Sequence, residues 1–308
     1  MKRINPLVYL LFLAFLAIGL AGCRENSSVS NPPKEEKPNM TVLNIAHRGA
    51  RSLAPENTLA AARKGLELKA DLWELDVAVT ADDELVVLHD DTLERTSNVQ
   101  QVFPQRKPWE VWTFSLAELR SLDFGTWFLE TDPFKQIQAG AVSLEEQAAY
   151  AGEPIPTLRE ALEFTQQNGW KVNIEIKDAS NTPGDAFIAE KVVALVQELE
   201  MTESVLISSF NHSYLLRVKA VEPVIVTAAL VERADPDPLA LLKRLGAQAY
   251  NPYRKEIDQK TVQGLRSAGY DVYVWTVNDE AEMRKLIEWG VSGIFTDFPQ
   301  VLNEVLGR

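Results

Sequence analysis

A (β/α)8 barrel of the TIM type, with a small subdomain inserted after the second strand, is the α/β fold this sequence predicts. Three observations lead there. Eight short β-rich segments begin near residues 43, 72, 171, 204, 224, 247, 271 and 291, with helical stretches between them. They are apolar runs bounded by Gly, Asp and Asn, as expected of strands buried on both faces of a parallel sheet. Together the units span roughly 260 residues, the size of such a barrel. A doubly wound open sheet is the competing architecture. It calls for G-x-G-x-x-G after the first strand, and "HRGARSL" (47–53) lacks that pattern.

In chain order, "LNIAHRG" (43–49) is the first strand and "NTLAAARKGLELKA" (57–70) the first helix, with Asn57 or Thr58 near its cap. "LWELDVAVT" (72–80) is the second strand, continued by "ELVVLHD" (84–90). A simple helical return should follow, yet the next strand comes only after residues 91–156. This stretch contains "WEVWTFSLAELRSLDFGTWF" and is predicted to be an insertion covering the barrel's mouth. The remaining strands are "KVNIEIK" (171–177), "SVLISSF" (204–210), "VIVTAAL" (224–230), "AQAYNPY" (247–253), "DVYVWTV" (271–277) and "VSGIFTD" (291–297). Helices are predicted over 158–169, 184–201, 212–221, 237–245, 258–268 and 279–289, and "PQVLNEVL" closes the chain.

The N-terminus reads differently. Lys2 and Arg3 precede an apolar run from Leu7 to Leu20, shorter than the roughly 20 residues of a membrane span. The sole cysteine, Cys23, follows "LAG", which resembles the lipobox of bacterial lipoproteins. Residues 1–22 are therefore expected to be a lipoprotein signal peptide, and 23–41 a lipidated cysteine and flexible tether rich in polar residues and proline. The domain proper would run over 42–308. The expected location is the cell envelope, anchored by lipid to a bacterial membrane and facing the periplasm or exterior. A plain signal peptide with an incidental cysteine is the alternative.

Composition excludes other classes. The formal net charge of −13, without a basic cluster, argues against nucleic acid as a partner. One cysteine rules out an intrachain disulfide and a cysteine-based zinc site.

In a barrel of this kind, chemistry sits at the C-terminal ends of the strands. His47 and Arg48 end the first strand, and His89 and Asp90 end the extension of the second. Glu74 and Asp76, like Glu175 and Lys177, are two residues apart, so each pair projects to one side of its strand. Three carboxylates inside a barrel repel one another, and a divalent cation removes the conflict. All-oxygen ligation suits Ca²⁺ or Mg²⁺. Salt bridges to Lys177 and Arg48 are the alternative, though the E-x-K of the neighbouring strand favours the cation. Two histidines at strand ends suit general acid and base work, with ordinary pKa values near 6.5. His212, the third, is expected to start a helix or line the mouth.

The motifs "AHRGA", "PENT", "WELDV", "LHDDTLERT", "IPTLREAL", "NIEIK", "SSFN", "VYVWTVN" and "GIFTDFP" occur in order from about residue 44 to 299. Together they resemble the bacterial glycerophosphodiester phosphodiesterase family. The resemblance implies the same barrel and metal-dependent hydrolysis of glycerophosphodiesters to sn-glycerol 3-phosphate and an alcohol. It implies acid–base work by His47 and His89 and cation binding by Glu74, Asp76 and Glu175. Arg48 and Lys177 would contact the phosphate, Glu56 would support the substrate site, and Trp275 would wall the glycerol carbons. The nucleophile, water or the substrate's own hydroxyl, stays open, as does the division of acid and base between the histidines. Two other readings compete: a lysophospholipase D acting through an apolar groove of the Trp-rich insertion, and a catalytically silent surface-binding lipoprotein.

Overall fold

The computed structural model describes residues 41–308; the predicted signal peptide and Cys23 lie outside the described residues. Nine strands form the sheet: β1 (Leu43–Ala46), β2 (Leu72–Val79), β3 (Leu85–Val87), β4 (Val172–Ile176), β5 (Val205–Ser209), β6 (Val226–Val231), β7 (Ala249–Pro252), β8 (Asp271–Val274) and β9 (Gly293–Thr296). All except β3 pair in parallel, in the order β1-β9-β8-β7-β6-β5-β4-β2, and β1 pairs with β2 to close the barrel. This is the predicted (β/α)8 barrel.

One element differs from expectation. Residues 84–90 do not prolong the second strand. Leu85–Val87 folds back antiparallel on its end, with Val77 opposite Val87 and Val79 opposite Leu85. The reversal lies in "TADDE". Asp83 has φ 62°, and the Thr80 hydroxyl accepts from the Glu84 amide at 2.9 Å. Alternation within an apolar run carries no sign of direction, so the strand was legible while its reversal was not.

The helices pack outside the strands and begin on side-chain caps. Thr58 caps Leu59–Glu67, Thr157 caps Leu158–Gln167 through a full capping box, and Asp258 and Asp279 cap Gln259–Ser267 and Glu280–Trp289. No helix among the described residues is long and apolar enough to cross a membrane. The barrel's inner floor is Ile45, Leu72, Leu206, Ala228, Ala249, Tyr273 and Phe295, all buried, and it supports the polar groups above.

The segment between β3 and the helix Leu158–Gln167 holds four short α-helices and one 3-10 turn. It builds its own core from Leu93, Val99, Trp109, Val111, Phe114, Leu119, Leu122 and Phe124 against Val86, Leu88 and Ile155. Trp109 and Trp112 pack in this core, whereas Trp127 packs with Leu53, Ala60, Ala61 and Phe128. The lining of the cleft described below includes none of these tryptophans.

Candidate active site

The site begins at the turn after β1. The His47 amide donates to the Thr296 carbonyl at 3.0 Å, continuing the ladder to β9. The chain then reverses through two left-handed residues, Arg48 (φ 54°) and Gly49 (φ 77°). The arginine is held there from both sides. Its amide donates to Glu74 Oε2 at 2.7 Å, and its carbonyl accepts from the Asn57 amide at 3.0 Å. Gly49 packs against the first helix, where an added Cβ would stand 2.6 Å from the Ala61 carbonyl carbon. Gly49→Ala is therefore expected to destabilise the protein by about 2–4 kcal/mol, from left-handed strain plus overpacking. A melting temperature within 1 °C of the parent, on the order of experimental error, would contradict this.

Strand register assembles the carboxylates. Asp76 is the direct partner of Glu175 across β2 and β4, and Glu74 sits one pleat earlier opposite Asn173. Glu74, Asp76 and Glu175 each offer an oxygen within 4.8 Å of the others, and all three point into the barrel end. Burial raises Glu74 well above the ordinary carboxylate range, and its neighbours Asp76 and Glu175 add to this. Glu175 is raised mainly by burial too, despite Lys177. Burial also acts to raise Asp76, but Arg48, Lys177 and His89 outweigh it and hold Asp76 at about 2. Asp76 Oδ1 is buried without a hydrogen-bond partner; Lys177 Nζ stands 3.7 Å away. A buried carboxylate oxygen left open inside an all-oxygen cluster is what a hard divalent cation fits.

Each cleft histidine leans on a carboxylate. His47 Nδ1 lies 2.7 Å from Asp297 Oδ1, and His89 Nδ1 lies 2.6 Å from Asp90 Oδ1. A carboxylate at Nδ1 makes that nitrogen the donor and leaves Nε2 free for proton exchange. Asp297 is itself fixed: its Oδ2 accepts from Asn278 Nδ2 at 2.7 Å, and its amide donates to Asn278 Oδ1 at 3.0 Å. Burial lowers the His47 pKa below 6.5, with Asp297 opposing. His212 starts the helix His212–Val221 and its Nε2 meets the Leu230 carbonyl at 2.9 Å, a structural role.

Glu56 does not line the cleft. It is only 3% exposed and stands behind Arg48, which reaches it at 2.8 Å; Arg51 and Arg95 reach it at 3.1 and 2.7 Å. Burial opposes its charge, but the three guanidiniums keep its pKa far below the usual range. Arg95, from the start of the insertion, also holds Asp90 at 2.6 Å and so ties the His89 partner to the Arg48 partner.

The cleft itself, about 450 Å³, is lined by His47, Arg48, Glu74, His89 and Glu175. The apolar Phe210, Leu230, Trp275 and Phe295 complete the lining. Trp275 is locked by its indole N–H to the Asn251 carbonyl at 2.8 Å and by an edge-on Phe210 at 5.4 Å. Asp76 and Lys177 sit just behind the lining, with Lys177 Nζ 3.0 Å from Glu175. Asp90 was placed at a strand end from sequence, without its role as the His89 partner, whereas Arg95, Asn278 and Asp297 were not singled out. Their signal was present, because each lies inside a motif quoted above.

A family model described as the glycerophosphoryl diester phosphodiesterase family matches residues 47–301. The chain belongs to that family. It is 36% identical over 270 residues to a glycerophosphodiester phosphodiesterase of Caldanaerobacter subterraneus subsp. tengcongensis, covering 87% of this chain and 99% of that relative. The enzyme of the same name from Bacillus subtilis strain 168 is 32% identical over 274 residues, 86% of each chain. Among solved structures, an Oleispira antarctica phosphodiesterase in complex with the product sn-glycerol-3-phosphate matches with a TM-score of 0.70 and 29% identity, over 86% of this chain and 96% of that one. A glycerophosphodiester phosphodiesterase of Agrobacterium tumefaciens matches with a TM-score of 0.66 and 26% identity, over 86% and 100%.

Proposed function

We propose that this chain hydrolyses glycerophosphodiesters to sn-glycerol 3-phosphate and an alcohol, with His47 and His89 as its proton-transfer groups. The observation that carries the reading is the convergence, in one cleft, of two carboxylate-backed histidines, the Glu74–Asp76–Glu175 cluster and the Arg48 guanidinium. An enzyme of this family acts on a phosphodiester monoanion, which repels nucleophiles. Arg48 and Lys177 reduce that charge, and both stay cationic: the surrounding carboxylates outweigh the burial that opposes their charge. Held at Nδ1, each histidine turns Nε2 to the substrate. One withdraws the nucleophile's proton and the other returns a proton to the leaving alcohol, steps worth roughly 10²–10⁴-fold. Ca²⁺ or Mg²⁺ held by Glu74, Asp76 and Glu175 would supply Lewis-acid polarisation of a phosphoryl oxygen. The apolar wall of Trp275, Phe210 and Leu230 suits the carbons of glycerol.

Release of glycerol 3-phosphate from glycerophosphocholine, assayed with Ca²⁺, with Mg²⁺ and with EDTA, tests this. Metal-dependent release is expected, and none with either metal would overturn the reading. We further propose that residues 1–22 are removed as a lipoprotein signal and that Cys23 carries the lipid, holding the enzyme in the cell envelope by a membrane. The lone cysteine after "LAG" supports this. Cys23→Ser should move the protein from the detergent phase to the aqueous phase in a detergent partition, and equal partitioning would sink the proposal.

A further inference from the structure

The floor of the cleft contains a polar pair that the chemistry above does not use. Asn173 on β4 and Ser208 on β5 both line the cleft. Asn173 is 1% exposed and Ser208 fully buried. Asn173 Nδ2 donates to Ser208 Oγ at 2.9 Å. That bond uses one group from each residue and leaves two open. Among the described residues, Asn173 Oδ1 is buried with no hydrogen-bond partner, and the bond that the Ser208 hydroxyl makes in the cleft is one it accepts. Buried polar atoms left open are costly unless something completes them.

The chemistry of what would complete them is narrow. The pair offers one acceptor, Asn173 Oδ1, and one donor, the Ser208 O–H, side by side. Rotating the amide by 180° exchanges the two roles and still leaves one donor beside one acceptor. A group that both donates and accepts through a single atom is a hydroxyl, that of a ligand alcohol or of the water it would displace. A phosphate monoanion would repel Asn173 Oδ1, and an ammonium would leave the Ser208 hydroxyl without an acceptor. Carbon surfaces to stack beside such an alcohol line the same cleft, in Phe210, Leu230 and Trp275.

We infer that Asn173 and Ser208 form a hydroxyl-recognition subsite that reads a free hydroxyl of the substrate's glycerol and so sets the preference for glycerol esters over other phosphodiesters. This rests on the function proposed above and deepens it. A site built to hydrogen-bond a substrate hydroxyl rejects the analogue lacking it, because its own buried groups are then left unpaired.

The test compares kcat/KM of the full chain for glycerophosphocholine with that for the two deoxy analogues, each missing one glycerol hydroxyl. Bis(p-nitrophenyl) phosphate, which has no glycerol, serves as the control substrate. The parent should prefer glycerophosphocholine over one of the analogues by roughly 10–100-fold or more. Ser208→Ala, which removes a single oxygen, and Asn173→Leu, nearly isosteric, should each reduce that preference to within about threefold, by an amount typical of one or two hydrogen bonds. They should leave turnover of the control and the cation-induced rise in melting temperature close to those of the parent. Preference retained in both folded variants would overturn the subsite. So would equal losses on all three substrates together with weakened cation binding, which would assign the pair to the metal cluster. A parent that cleaves the control but no glycerophosphodiester would instead overturn the proposed function and take the subsite with it.

Discussion

His47→Ala, and more tellingly Asp297→Asn, should each lower kcat for glycerophosphocholine by roughly 10²–10⁴-fold, the range for losing one positioned proton-transfer group. The second substitution is isosteric and leaves the imidazole in place. Its effect comes from the 2.7 Å contact at Nδ1. A carboxylate there accepts a proton and fixes Nε2 as the reactive nitrogen, whereas an amide can donate instead and select the opposite tautomer. The His47 pKa supplies a second readout. Burial lowers it below 6.5, and Asp297 is the main opposing influence. The folded protein therefore holds this imidazole neutral where the unfolded chain would protonate it. The stability so gained is present above pH 6.5 and is lost as pH falls through the folded value. Removing the Asp297 charge should move the folded value further down. Titration of the His47 ring protons by NMR in the metal-free protein checks this. An upward shift in Asp297→Asn, or an unchanged kcat, would defeat the argument.

Chelation should bring turnover to background, and Ca²⁺ or Mg²⁺ should restore it. The physical reason lies in a charge imbalance. Among the described residues, the six carboxylates of Glu56, Glu74, Asp76, Asp90, Glu175 and Asp297 meet four permanent cations, Arg48, Arg51, Arg95 and Lys177, with His47 and His89 beside Asp297 and Asp90. Burial first, and then the neighbouring carboxylates, raise both Glu74 and Glu175. A raised carboxylate stabilises the metal-free fold most at low pH, and that contribution is lost as pH rises through the folded values. A bound cation must displace those protons, so its affinity should strengthen as pH rises above 4.5 toward neutrality. The rise in melting temperature with Ca²⁺ or Mg²⁺ should accordingly grow between about pH 5 and pH 8. Glu74→Gln should raise the melting temperature of the metal-free protein, because it removes a buried repulsion, and should abolish most of the cation-induced rise. A rise that persists in this variant, or that shrinks with pH, would place the cation elsewhere.

Strand, helix and motif were readable because they are local. The eight parallel strands came from apolar runs, and their order round the barrel followed from alternation with helices, since each β/α unit returns the chain to the next strand in the same hand. Glu74, Asp76 and Glu175 were readable for a related reason: a period of two places i and i+2 on one side of a strand. Glu56 was harder. In "PENT" it looked like a substrate group, and only the fold turns it behind Arg48 under three guanidiniums. Within the Trp-rich insertion, composition cannot tell a side chain facing a cleft from one facing its own small core, and Trp109 is buried in the core.

By itself, then, the sequence determined the barrel and placed the histidines and carboxylates at its strand ends, because these depend on residue type and on short spacings. Only the tertiary structure decided the long-range pairings: Asp297 with His47 across 250 positions of chain, Arg95 with Glu56, and Asn173 with Ser208 on the neighbouring strand. Each pairing rests on barrel closure and on register between strands. These are properties of how distant segments share one core, and no short stretch of sequence records them.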